Sequence, residues 1–289
     1  MKIAKQLLSA VCATAVLAGT GPAMAADHDK GDIKLAYVEW SSEVASTNVV
    51  KALLEEQGYD VTITPVSAAA MWQSVAVADY DGFTAAWLPS THEDYLAKTK
   101  DDIVDLGANL EGTKLGLVVP DYVDVDSIED LKDSDVAGEF NRRITGIDPG
   151  AGLMRLTEKA VDEYGLRRMR LIEGSGATMT AALASAIKAH EPIVVTGWTP
   201  HWMFARWDLK YLDDPKNVYG DAEEIHTIVR KGLKDDMPEA YRILDNFYWT
   251  PEEMAEVMVM NQVDGSDPYE NAQKWLADHP ERVKEWLAE

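Results

Sequence analysis

Tryptophan is the residue type with chemical reach in this chain. The stretch GWTPHWMFARW at 197–207 holds Trp198, Trp202 and Trp207, three of nine tryptophans in 289 residues that contain only four phenylalanines. Core filling does not require this, because Phe and Leu pack without a polar N–H to satisfy. Aromatic faces offer a negative quadrupole together with dispersion, which suits a soft, bulky cation such as a quaternary ammonium group that has no N–H to donate. Each ring contributes about 0.5–2 kcal/mol when desolvated, so three supply roughly 2–6 kcal/mol of the ~8 kcal/mol that micromolar binding needs. Two more tryptophans close short apolar runs as Trp198 does: Trp40 in EWSSE (39–43) and Trp87 in WLPSTH (87–92). Trp40, Trp87 and Trp198 are therefore the candidate walls of a cation site. Trp202 is a further candidate, although with Trp207 it starts the following helix and has a packing role open to it.

Two other groups could serve an anion. Gly146-Ile147-Asp148-Pro149-Gly150 stands between a short strand and a helix, where glycines free the turn and a helix N-terminus offers unpaired N–H groups. The amides of Gly146 and Ile147 are the candidate donors there. His92 can donate while neutral, and more strongly when charged. Glu39 precedes Trp40, and strand alternation should point it away from that ring. Turned inward, it would favour a cation without a carboxylate, such as choline. Trp72 lies on an Ala-rich helix and reads as core; Trp249, Trp275 and Trp286 fall in the helical tail.

An internal repeat positions these residues. Segments 33–92 and 144–203 align without a gap at an offset of 111 residues. Both run from an apolar strand through a small-residue turn to an amphipathic helix, a second strand, an Ala-rich helix and a third strand ending in Trp-x-Pro. The order β-α-β-α-β predicts two mostly parallel sheets with helical crossovers. Ligands bind beyond the carboxyl ends of such strands, and EWSSE, WLPSTH, GIDPGAG (146–152) and WTPHW (198–202) all fall there. The fold expected is α/β and two-lobed, with the cleft between lobes. Lobe one is read as 26–117 plus 226–289 and lobe two as 118–225. Ser127 should cap a short helix, and Thr250-Pro251-Glu252-Glu253 marks a helix start in the tail.

These motifs carry a resemblance. LAYVEWSSEVASTNV, MW at 71–72, AAWLPSTH, LGLVVPDYV followed by SIEDL, TGIDPGAGLM, VTGWTPHWMFARW, KYLDDPK and AEEIHTIVRKG resemble the substrate-binding proteins of glycine betaine/proline betaine ABC importers, which have the type II periplasmic binding protein fold. In some relatives the GIDPG half comes first, so this chain looks circularly permuted relative to them. The resemblance implies three tryptophans around a quaternary ammonium, with turn amides and the histidine holding a carboxylate. It implies hinge closure on a betaine-type ligand, with Trp40 and Trp87 on lobe one facing Trp198 and the 146–147 amides on lobe two, and docking of the closed form on a membrane permease with a separate ATPase. Dimethylsulfoniopropionate, choline, carnitine, trimethylamine N-oxide and ectoine remain alternative ligands, and a sensor an alternative destination.

Other features bound the class. Residues 1–25 have Lys2 and Lys5, an apolar run too short to span a bilayer and an Ala-Met-Ala cleavage site, so they read as a signal peptide and the protein as periplasmic. The single cysteine, Cys12, lies within it. No other apolar run is long enough to insert in a membrane. The net charge of −23 repels nucleic acid and anionic lipid. No nucleophile motif, metal-spaced His/Cys cluster or phosphate loop accompanies the histidines, so the reading is a monomeric binding protein without cofactor or metal, not an enzyme.

Overall fold

The computed structural model describes residues 30–289; the expected signal peptide lies outside them. The first unit of the repeat is β1 (Asp32–Tyr37), α1 (Ser41–Glu56), β2 (Asp60–Pro65), α2 (Ala68–Ala76) and β3 (Gly82–Leu88), followed by α3 (Glu93–Thr99) and β4 (Ile103–Glu111). The chain then crosses to β5 (Lys114–Pro120), a 3-10 turn (Ile128–Lys132) capped by Ser127, and α4 (Ser134–Glu139). The second unit is β6 (Arg143–Thr145), α5 (Gly152–Glu163), β7 (Arg170–Ile172), α6 (Gly176–Ala189) and β8 (Val195–Thr199), followed by α7 (Met203–Arg206) and β9 (Leu209–Tyr211). The chain returns through β10 (Glu224–Arg230) to the tail helices α8 (Leu233–Asp236), α9 (Pro238–Asn246), α10 (Pro251–Met260), α11 (Pro268–Asp278) and α12 (Pro280–Trp286).

The repeat is visible as topology. One sheet has the order β2-β1-β3-β10-β4 and the other β7-β6-β8-β5-β9, so each unit lays its three strands in the same second-first-third order. Within each unit the strands are parallel. The sheets as wholes are mixed rather than mostly parallel, because β10 runs antiparallel to β3 and β4, and β5 antiparallel to β8 and β9. The reason is the crossing itself. A strand arriving from the other lobe enters at the cleft, where the unit's own strands end. Accordingly Glu224, the first residue of β10, pairs with Leu88, the last of β3, and Lys114 of β5 pairs with Thr199 of β8. All of β5 belongs to the second sheet, so the first crossing falls at Gly112 and Thr113 rather than after residue 117, and the return falls before Glu224. The two crossings are tied together. Thr113 N–H and its hydroxyl both donate to the Glu223 carbonyl, at 3.2 and 2.8 Å.

Local chemistry explains the elements. β3 is buried along its whole length, as a central strand with helices on both faces must be. Ser175 and Thr250 cap α6 and α10 with reciprocal capping boxes, and Asp267 caps α11. The tail helices pack against α1 and close the first lobe over a cluster of Phe247, Trp249, Trp275 and Trp286, whose rings lie 4.9–6.0 Å apart. No described helix is long and apolar enough to cross a membrane.

Candidate ligand-binding site

Trp40, Trp87 and Trp198 stand where their strands or turns reach the cleft. Trp40 is the N-cap of α1, Trp87 lies near the end of β3, and Trp198 holds the equivalent place on β8. All three border one small cavity of about 20 Å³, with His92, Ile147, Ala151, Gly152 and Leu153 among the other walls. That leaves room for about one water, so a solute enters only when the walls part. The first lobe supplies Trp40, Trp87 and His92; the second supplies Trp198, Ile147 and the start of α5.

The lobes are closed on one another, and the indoles are part of the closure. Trp40 Nε1 donates to Asp148 Oδ2 of the second lobe at 2.6 Å. Trp198 Nε1 donates back to Ser42 Oγ of the first at 3.2 Å. Trp87 Nε1 donates to Glu43 Oε1 at 2.8 Å, and Ser42 Oγ donates to the other oxygen of Glu43. Each indole N–H is thus held by an oxygen while the residue borders the cavity. Tyr95 Oη to the Gly150 carbonyl (2.8 Å) and Arg155 Nη2 to the Ser90 carbonyl (2.8 Å) complete the seam. Gly152 is part of it: a Cβ there would lie 2.0 Å from the Thr91 carbonyl oxygen, so only glycine permits this approach.

His92 is fully buried and stacked 5.9 Å from Trp40. Its Nδ1 accepts the Trp87 backbone N–H at 3.1 Å, which places the proton of a neutral ring on Nε2. Burial, helped by the Arg155 charge, pushes the imidazole down to about 3 and so keeps it neutral. The Nε2 atom is buried and has no partner. An orphan donor in a closed cavity is a costly arrangement unless a ligand atom completes it. The turn carrying His92 is fixed by Glu223, whose carboxylate accepts from Thr91 N–H at 2.8 Å and from Ser90 N–H and the Thr91 hydroxyl.

On the opposite wall the Ile147 amide faces only the Met154 thioether, at 3.3 Å. The amides of Gly152 and Leu153 belong to the first turn of α5, where no carbonyl of the same helix can reach them. Gly146 does not share this role. Its amide is committed to the Ile172 carbonyl at 2.8 Å and it does not border the cavity. Its lack of a side chain is what matters, since a Cβ would meet Met154 Sδ at 2.5 Å.

A profile of the substrate-binding domain of ABC-type glycine betaine transport systems, OpuAC, matches residues 31–278. The chain belongs to the OpuAC family. This is a family of transport binding proteins, not of enzymes. Over 154 residues the chain is 56% identical to the glycine betaine/carnitine transport binding protein of Listeria monocytogenes; the alignment takes in 53% of this chain and spans about half, 51%, of that protein. Among solved structures it is similar to a lactococcal OpuAC in a closed, glycine betaine-bound conformation, with 46% identity, a TM-score of 0.84, and coverage of 89% of this chain and 100% of that one. The glycine betaine/L-proline-binding protein of Borrelia burgdorferi is similar over 89% of this chain and 97% of its own, with 40% identity and a TM-score of 0.86. The two mixed sheets flanked by helices match the type II binding protein fold of these OpuAC-family structures.

Two expected residues lie elsewhere in this OpuAC-family chain. Trp202 and Glu39 border a separate groove on the outer side of Trp198, not the cavity. Glu39 is exposed while Trp40 is buried, although both lie past the end of β1, in the turn into α1, where strand alternation no longer applies. Trp202 packs between His201 and Trp207, at ring distances of 5.4 Å from each, with Arg206 lying over the pair. The sequence reading missed Ser42, Glu43, Asp148 and Glu223, which hold the walls. Glu43 and Asp148 sat in quoted motifs, but nothing in their type distinguished them among 50 acidic residues.

Proposed function

We propose that this protein captures a small zwitterion of the betaine type, with glycine betaine the reference ligand, and delivers it to a membrane permease driven by a separate ATPase. One observation carries the ligand class: three tryptophans and a buried His92 whose Nε2 has no partner border the same cavity. The faces suit the trimethylammonium end. His92, the Ile147 amide and the first-turn amides of α5 suit a carboxylate. Choline would fill the cage but leave those donors unanswered, which favours a ligand with both ends charged. Binding works by closure. The open form offers half-sites, and a ligand touching both lobes stabilises the closed form and shifts the population toward it. The protein acts as an exported monomer outside the cytoplasmic membrane.

Calorimetric titration of ligand-stripped protein with glycine betaine, dimethylsulfoniopropionate and choline tests this reading. Tight binding of the two zwitterions with weak choline binding is the expected result. A preference for choline would keep the cage and remove the carboxylate clamp; silence with all three would overturn the ligand class. Trp198→Ala should weaken glycine betaine at least tenfold.

A further inference from the structure

Among the described residues, Glu43 is the one fully buried acid whose oxygens hold cavity tryptophans directly or through a single hydroxyl. It sits in the first turn of α1 with 1% of its surface exposed. One oxygen takes the Trp87 indole N–H at 2.8 Å. The other takes the hydroxyl proton of Ser42, whose oxygen in turn accepts the Trp198 indole N–H at 3.2 Å. A single carboxyl group therefore stands behind two facing tryptophans, one from each lobe. An indole whose N–H leans on a carboxylate has a more electron-rich face, and a negative charge close behind the rings attracts a cation in front of them. The buried setting, with little water to screen it, makes both effects large.

We propose that Glu43 is the buried counter-charge of the cage: it ionises as the quaternary ammonium enters between Trp87 and Trp198, so that ligand capture expels a proton to solvent. This rests on the onium reading given above. In the closed arrangement with no cation in the cavity, burial pushes the Glu43 carboxyl up to about 7 against the bonds from Ser42 and Trp87. A cation lodged beside it favours the ionised form and lowers that value. Affinity is then highest above pH 7 and declines as pH falls through that value, because part of the binding energy goes to removing the proton. The surrounding ionisable groups do not imitate this. His92 and His201 are held neutral by burial, each at about 3. Asp148, from the turn after β6, adds a like charge that pushes Glu43 further up. Lys51 and Glu55, further along α1, pair with each other at 2.6 Å.

The test is titration of the whole protein with glycine betaine at pH 6.5 in phosphate and in bis-Tris, and at pH 9 in borate and in CHES. The dependence of the measured heat on buffer ionisation counts the protons released. More than about 0.3 proton per ligand at pH 6.5, and near none at pH 9, is expected from the linkage. Glu43→Gln keeps the shape and should abolish both the release and the pH dependence. It should also lose about tenfold in its preference for glycine betaine over 3,3-dimethylbutyrate, the isostere with carbon in place of the quaternary nitrogen. Should that variant not fold, the wild-type proton count decides alone. Binding without proton release at pH 6.5 overturns the role of Glu43 and leaves the ligand reading standing. No binding of any onium compound overturns both.

Discussion

Each indole of the cage has its N–H spent on an oxygen at its back: Trp40 on Asp148, Trp87 on Glu43, Trp198 on Ser42. In the closed form all three rings are held this way, and the Trp87–Glu43 bond, which lies within one lobe, keeps that ring aimed in the open form as well, which removes part of the ordering cost from binding. Two of the three bonds cross between lobes, so a tryptophan here is both wall and latch. His92 follows the same logic from the anion side, with Nδ1 fixed by the Trp87 amide and Nε2 left open. His92→Phe keeps an aromatic ring against Trp40 and removes the donor. Glycine betaine should weaken tenfold or more by calorimetry while choline changes by less than about threefold, since a hydrogen bond to a charged group is worth about 1.5–3 kcal/mol. The placing of Trp87 and Trp198 near strand ends, and of Trp40 just past one, was legible in the sequence. Their supports were not. A buried glutamate and a solvated one are the same letter, and only the fold shows that Glu43 and Glu223 point inward.

At the scale of elements, the paired β-α-β-α-β units could be read from an offset of 111 residues because strand and helix periodicities survive where identities do not. The direction of β5 and β10 could not. Periodicity says that IHTIVRKGL is a strand, not which way its neighbours run. The tail helices needed their partners to be understood. Their tryptophans form one cluster with Phe247 beneath α1, remote from the cavity, and Trp275 is 2% exposed. Trp275→Ala should cost about 3–5 kcal/mol in urea unfolding, the range for emptying a buried aromatic site. Glycine betaine affinity of the folded variant should stay within about twofold. A large affinity loss would mean that the tail shapes the cleft rather than merely roofing the first lobe.

For the whole molecule, closure depends on how near the lobes can come at Gly152 and Thr91. Gly152→Ala places a methyl group where there is room for none. It should hold the lobes apart, weaken glycine betaine at least tenfold, and leave the scattering radius unchanged on adding ligand where the wild type contracts. A variant that still contracts would show that the seam yields elsewhere. Glu223 also acts at this scale, since it bonds both the crossing segment at Thr113 and the turn that carries His92. The two repeat units finally bear on how a nearly symmetric frame would handle the proposed ligand, whose ends differ. Trp40 and Ala151 stand at matching N-caps, 111 residues apart, and both border the cavity. In one copy the cap is a broad ring that covers its helix end; in the other it is a methyl group that bares the amides behind it. Two corresponding positions thus present unlike groups to the cavity, a ring on one helix start and a methyl group on the other.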